Sequence, residues 1–73
     1  MDSKKIAQFI TEQRKLKKLT QKQLADNLGV TDKAVSKWER GLSCPDISLL
    51  TKLADILEVS TSELLSGEKI GLQ

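Results

Sequence analysis

The basic side chains of this 73-residue chain are concentrated in one segment, and such a cluster is suited to binding anions. Residues 14–40 carry eight Lys and Arg side chains against three Asp and Glu, a net charge of +5. Residues 1–13 are neutral, whereas residues 41–73 have a net charge of −3 because five acidic side chains outnumber two lysines. This uneven distribution predicts one surface that faces a polyanion.

The residue types that enzymatic or metal chemistry needs are scarce. The chain has no His and a single Cys, which excludes an intramolecular disulfide, a His-based catalytic triad and a His/Cys metal cluster. Asp55 and Glu58 are spaced i, i+3 on a predicted helix, but no nucleophile, phosphate-binding glycine loop or metal ligand lies near them in the sequence. No basic pair beside Cys44 favours a reactive thiolate, so we expect it to pack. We therefore expect no enzyme activity, no cofactor and no metal.

Length and composition favour one small helical domain. Apolar residues make up 38% of the chain and charged residues 30%, a balance typical of a folded, soluble protein. One Pro and four Gly interrupt a chain rich in strong helix formers. No apolar run approaches the roughly 20 residues of a membrane span, and the N-terminus lacks the apolar core of a signal peptide. We expect an all-α domain over residues 1–67, a C-terminal tail over 68–73 that frays, and a location in the reducing cytoplasm.

Residues that begin and end helices divide the chain into five predicted helices. Two of the starts have the form of a capping box, with Gln23 or Glu63 three residues after a Thr or Ser. The predicted helices run from Asp2 or Ser3 to about Lys17, from Thr20 to Gly29, from Thr31 to Gly41, from Asp46 through Leu57, and from Ser60 to Gly67.

Apolar residues recur at helical spacing in each of these segments and predict a single core. Trp38 is the only Trp, and its spacing from Val35 directs it into that core rather than towards a ligand. The predicted core residues of the first four helices, and the leucines of the fifth, are Ile6, Phe9, Ile10, Leu24, Ala25, Leu28, Ala34, Val35, Trp38, Ile47, Leu50, Leu53, Ala54, Leu57, Leu64 and Leu65.

The second and third predicted helices form a helix-turn-helix unit over about residues 21–40. They are joined by a turn of about three residues that contains Gly29, and such a connection sets two helices at a steep angle. The small Ala25 lets the helices cross closely, and Gly29 can adopt the left-handed backbone that a side chain would penalise.

Most of the chain consists of three stretches, TQKQLADNLGVTDKAVSKWERG, PDISLLTKLADIL and VSTSELL. These stretches resemble the phage-repressor and Cro-type helix-turn-helix proteins, often called the XRE family. The resemblance implies a lambda-repressor-like fold, a compact bundle of five short helices. It also implies a sequence-specific DNA-binding transcriptional regulator, in particular a repressor of an inverted-repeat operator.

The resemblance also implies roles for individual residues. In that family the second helix of the motif, here at about 32–39, enters the major groove of double-stranded DNA. The implied base contacts are made by Asp32, Lys33, Ser36 and Lys37, and the implied phosphate contacts by Gln21, Lys22, Arg40 and Ser43. Arg14 and Glu39 match a family pair that forms a structural salt bridge between the first and third helices.

Simpler interpretations of the polar residues stay open. Asp32 suits the first turn of any helix because of the helix dipole, and Lys33 and Lys37 can be ordinary solvated lysines. Gln21 is a good helix former in any context. At the level of function, the alternatives are an antitoxin-like or other partner-binding protein on the same fold, and a helical interaction module without a nucleic-acid role.

One recognition helix reads only about four or five base pairs, so useful affinity requires two copies of the domain on two half-sites. We therefore expect a homodimer that forms through the C-terminal helix and tail. The candidate surface consists of Leu64, Leu65, Ile70 and Leu72, with the alternative that the first two only close the core.

Overall fold

Five α-helices form the part of the chain that the computed structural model describes, residues 3–70. They are α1 (Ser3–Leu16), α2 (Gln21–Leu28), α3 (Asp32–Glu39), α4 (Ile47–Leu57) and α5 (Thr61–Ser66). No strand occurs within residues 3–70. The predicted all-α bundle of five short helices is confirmed, and α1 ends one residue before the predicted Lys17. Asp2, one of the two suggested caps of α1, lies outside the described residues.

The predicted helix starts are formed by the caps that the sequence indicates. In α2 the Thr20 hydroxyl accepts from the Gln23 backbone N–H at 3.0 Å, and the Gln23 side chain accepts from the Thr20 N–H at 2.9 Å. Ser60 and Glu63 form the same reciprocal pair at the start of α5. These boxes satisfy N–H groups that would otherwise lack partners in the first helical turn.

The core contains most of the predicted apolar residues, and Trp38 is buried in it. Ile47 is an exception, because 82% of its side chain is exposed. At 100° per residue, Ile47 lies roughly 70° from the centre of the stripe formed by the buried α4 residues Leu53, Ala54 and Leu57. It also begins the helix, so its prediction as a core residue is wrong.

Packing between helices encloses the inner face of α3. This helix contacts α1 on one side and α2 on the other, while α4 contacts α2 and α5, and α5 contacts α1. Val35 of α3 is fully buried, as are Ile10 of α1 and Leu24 of α2. The helix-turn-helix pair therefore packs against α1 and α4, and α5 packs against those two helices.

The first residues of the predicted tail are bound to the bundle rather than frayed. The Glu63 carboxylate accepts a hydrogen bond from the Ile70 backbone N–H at 2.9 Å, and Glu68 forms an ion pair with Lys5 of α1 at 3.1 Å. These contacts hold residues 68–70 against α5 and α1. Across residues 3–70, none of the helices has the length and apolar character needed to cross a bilayer.

Candidate nucleic-acid interface

The connection between α2 and α3 is three residues long and tightly hydrogen-bonded. Gly29 ends α2 in the left-handed conformation, with φ of 74° and ψ of 29°. The Val30 N–H then donates to the Ala25 carbonyl at 3.0 Å, which completes the helix end. Thr31 caps α3 by accepting from the Ala34 N–H at 3.1 Å. These bonds fix where α2 ends and where α3 begins.

The two faces of α3 differ in chemistry. Val35 and Trp38 are buried against the core. The four residues for which base contacts were predicted lie together on the remaining surface: Asp32, Lys33 and Lys37 are exposed and Ser36 is half-buried. This outer surface of α3 presents two cations, one carboxylate and one hydroxyl, which can donate to and accept from base edges.

The residues for which phosphate contacts were predicted lie at the start of α2 and just after the end of α3. Gln21 and Lys22 are the first two residues of α2, where Gln21 is half-buried and Lys22 is exposed. Lys22 lies 3.9 Å from Asp26, but its side chain remains 75% exposed. Arg40 and Ser43 follow the C-terminal end of α3 and are also exposed.

A buried ion pair joins α1 to the C-terminal end of α3. The Arg14 guanidinium donates from Nε to Glu39 Oε2 at 2.7 Å and from Nη2 to Glu39 Oε1 at 3.0 Å. Its Nη1 donates to the Leu19 carbonyl at 2.8 Å. Only 12% of the Arg14 side chain and 5% of the Glu39 side chain are exposed. The structure therefore contains the ion pair expected from the resemblance, in a bidentate geometry.

The surroundings of Glu39 keep it ionised. Burial by itself raises the pKa of Glu39. The hydrogen bonds from Arg14 and Gln21 and the positive charge of Arg14 lower the pKa by more than burial raises it, so it lies below the ordinary 4.5. Because the carboxylate has several donors, it stays charged in a site that excludes most water.

A contact that sequence reasoning missed connects this ion pair to α2. Gln21 Nε2 donates to Glu39 Oε1 at 3.1 Å, so the carboxylate bonds to α1 and α2 from its place at the end of α3. Eighteen residues separate Gln21 from Glu39, and no local pattern signals a pairing at that distance.

Among residues 3–70, no group of three His, Cys, Asp or Glu side chains is placed to hold a metal ion.

A family model described as helix-turn-helix matches residues 10–64, more than half of the chain. The chain belongs to this family. The resemblance to the XRE-type proteins is thereby confirmed, and the matched range contains the whole α2–turn–α3 unit and the Arg14–Glu39 ion pair.

Individual relatives of this helix-turn-helix protein carry regulatory names. It is 47% identical over 55 residues to a Bacillus subtilis protein named as the uncharacterized HTH-type transcriptional regulator YqaE, an alignment that covers 75% of the chain and 47% of that relative. It is 40% identical over 60 residues to the cryptic phage CTXphi transcriptional repressor RstR of Vibrio cholerae, covering 82% of the chain and 54% of RstR. The chain spans about half the length of these relatives.

Among solved structures, the helix-turn-helix chain is similar to the P22 c2 repressor in complex with synthetic operator 9T. The TM-score is 0.81 at 33% identity, and the alignment covers 86% of this chain and 96% of the repressor chain. This similarity confirms the lambda-repressor-like fold. Residues 10–64 thus have the DNA-binding fold of helix-turn-helix transcriptional regulators.

Proposed function

We propose that this protein is a transcriptional repressor that binds an inverted-repeat operator in double-stranded DNA as a homodimer. The observation that carries the proposal is the two-sided nature of α3. One face is anchored by Val35, Trp38 and the Glu39 network, and the other face presents polar and charged groups to solvent. The similarity to a repressor solved with its operator supports this assignment. Binding to chromosomal DNA would place the protein at the nucleoid in the cytoplasm.

In this proposal the outer surface of α3 reads base edges in the major groove. The ammonium groups of Lys33 and Lys37 can donate to guanine O6 and N7, and the Asp32 carboxylate can accept from cytosine N4. The Ser36 hydroxyl can donate or accept. Because Lys33 and Lys37 are one helical turn apart, both can reach the same stretch of the groove.

The residues beside α3 bind the DNA backbone in this proposal. Gln21 and Lys22 offer their side chains together with the N–H groups of the first turn of α2, where the helix dipole favours an anion. Arg40 and Ser43 offer a guanidinium and a hydroxyl just after the C-terminal end of α3. These contacts set the position of the domain along the duplex, while those of α3 supply the sequence preference.

The candidate dimer residues differ in exposure. Leu64 is fully buried, which agrees with the alternative that it only closes the core, and we leave it out of the proposed dimer surface. Leu65 is 40% exposed and Ile70 is 54% exposed. Leu65 also borders an apolar groove lined by Pro45 and Leu50. Leu72 lies outside the described residues.

Selection from a pool of random duplexes at roughly 150 mM salt tests the proposed function, because that salt concentration weakens purely electrostatic binding. We expect an inverted repeat whose half-sites lie about 10 base pairs apart, which is one helical turn. Failure to enrich any motif would contradict sequence-specific binding and favour a protein partner.

Alanine substitution then assigns the contact to α3. We expect Lys33→Ala combined with Lys37→Ala to lower operator affinity by at least about tenfold with an unchanged melting temperature, because each good base contact contributes about 1–3 kcal/mol of discrimination. Lys52→Ala is the matched control, since Lys52 is an exposed lysine of α4. Equal affinity of the double variant and the control would refute the role of α3.

A further inference from the structure

The Glu39 carboxylate lies where the start of α2 meets the end of α3, the two helices that contact DNA in the proposed function. Arg14 supplies the bidentate contact from α1, with Nε to Oε2 at 2.7 Å and Nη2 to Oε1 at 3.0 Å. Gln21 Nε2 donates to the same Oε1 at 3.1 Å. Gln21 begins α2 and Glu39 ends α3, so this one bond spans the open end of the helix-turn-helix unit, away from the three-residue turn.

The Gln21–Glu39 hydrogen bond constrains the distance between the N-terminal end of α2 and the C-terminal end of α3, which the turn alone does not fix. The turn joins the C-terminal end of α2 to the N-terminal end of α3 through Gly29, Val30 and Thr31. A small change in the angle at the turn produces its largest displacement at the far ends of the helices, near Gln21 and Glu39. A charge-assisted hydrogen bond at those ends is stronger than a neutral one and resists that change.

We infer that Gln21 is a positioning residue for DNA recognition, and this inference rests on the proposed function. Through Glu39, its amide keeps the first turn of α2, which would bind the DNA backbone, at a fixed distance from the outer surface of α3, which would read the bases. The ion pair with Arg14 holds Glu39 in place and so provides a rigid support for Gln21. Gln21 therefore contributes to the choice of sequence as well as to the strength of binding.

This role separates experimentally from a simple phosphate contact. Removing a phosphate contact weakens binding to all sequences by a similar factor, whereas loosening the α2–α3 geometry weakens binding mainly at the operator, where all contacts must be made together. Gln21→Met removes the amide and keeps an unbranched side chain that favours helix formation. Lys22→Met is the matched control, because Lys22 is the next residue of α2 and its ion-pair partner is Asp26 rather than Glu39.

The experiment measures the affinity of wild type and both variants for the operator recovered by selection and for a scrambled duplex of equal length. We expect Gln21→Met to reduce the ratio of operator to scrambled affinity by about tenfold, the equivalent of one hydrogen bond to a charged group. We expect Lys22→Met to weaken both duplexes by similar factors and to leave the ratio unchanged. Equal losses on both duplexes for Gln21→Met would overturn the inference and leave Gln21 as a phosphate contact only.

A second measurement, made without DNA, tests whether the Gln21–Glu39 hydrogen bond is present in solution. Carbon-detected NMR titration of the Glu39 carboxyl should show that Gln21→Met raises the pKa of Glu39, because one donor to the carboxylate is lost. An unchanged pKa would also overturn the inference, since the bond would then be absent in solution. If the wild-type protein selects no operator at all, the proposed function fails, and that outcome is separate from any difference between the variants.

Discussion

At the scale of single residues, the buried Glu39 carboxylate connects three helices. It belongs to α3, accepts two hydrogen bonds from Arg14 of α1 and accepts one from Gln21 of α2. Arg14 also bonds to the Leu19 carbonyl in the α1–α2 connection. Because the carboxylate is buried, its negative charge depends on these donors for compensation. Loss of any one donor leaves part of that charge uncompensated and destabilises the fold.

Removal of the Arg14 guanidinium should therefore destabilise the folded protein strongly. We expect Arg14→Met to lower the free energy of unfolding by about 3 kcal/mol, because it leaves the Glu39 carboxylate buried without its cation. Urea denaturation followed by the fluorescence of Trp38, the only tryptophan, measures the change. Lys17→Met is the control, since the ion pair of Lys17 with Glu58 is exposed and should contribute little. Similar losses of unfolding free energy for the two variants would contradict the claim that the buried ion pair contributes more than the exposed one.

The carboxylates also determine how stability depends on pH. Burial raises the pKa of Glu39, but the contacts from Arg14 and Gln21 outweigh that effect, and backbone N–H groups of Ser60 and Ile70 lower the pKa of Glu63. Because both pKa values are lower in the folded state, their stabilisation is present above the ordinary 4.5 and is lost as the pH falls through the folded values. With no His in the chain, stability should be flat between about pH 6 and 8.

Urea denaturation of wild type at a series of pH values measures this dependence. The comparison with Glu39→Gln assigns part of it, since this variant should lose less stability than wild type when the pH falls below about 4.5. Glu12→Gln, which alters an exposed carboxylate of α1, serves as the control. An identical acid dependence in wild type and Glu39→Gln would show that Glu39 has no depressed pKa.

At the scale of helices, the sequence predicted those features that depend on neighbouring residues. Capping boxes and glycines act over about four residues, so the starts of α2, α3, α4 and α5 were predictable, as were the ends of α2 and α5. The end of α4 is different, because Glu58 adopts the left-handed conformation with φ of 60° and no glycine marks the position. The Gln21–Glu39 bond depends on how helices pack, which periodicity within one helix does not encode. Ile47 was assigned to the core from its apolar type, although its position at the edge of the α4 stripe and at the helix start leaves it exposed.

Two helix ends with the same backbone conformation should respond differently to substitution. Gly29 and Gly67 have φ values of 74° and 75°, but a Cβ at Gly29 would meet no atom within 4 Å, whereas one at Gly67 would lie 2.8 Å from the Lys5 carbonyl carbon. We expect Gly29→Ala to cost about 1 kcal/mol for backbone strain alone. Gly67→Ala should cost clearly more, because α1 and the end of α5 must separate. Thermal denaturation distinguishes the two, and equal costs would contradict this account.

At the scale of the whole molecule, the basic surface and the exposed apolar surface lie in different segments, which suits the two activities that we propose, DNA binding and dimer formation. The basic segment 14–40 includes the helix-turn-helix unit, and the acidic segment 41–73 contains α4, α5 and the exposed apolar residues Leu65 and Ile70. In the proposed complex, DNA phosphates repel the acidic side chains of α4 and α5 and orient these two helices away from the duplex. A dimer contact through Leu65 and Ile70 would leave both copies of α3 free to enter the groove, so the proposed DNA binding and the proposed dimer formation use different surfaces.

Substitution of the apolar surface should therefore separate dimer formation from DNA contact. We expect Leu65→Asp, and independently Ile70→Asp, to shift the protein towards monomer in sedimentation equilibrium, because a charge would have to be buried between the copies. Affinity for the complete operator should fall by at least about tenfold through the loss of bivalent binding, while affinity for an isolated half-site stays unchanged. Leu16→Asp is the control, since Leu16 is 71% exposed and lies beside Glu12 and Lys15 rather than on the groove of Leu65. Parallel losses on the complete operator and on the half-site would instead place these residues in the DNA contact or the core, and the dimer would have to use another surface.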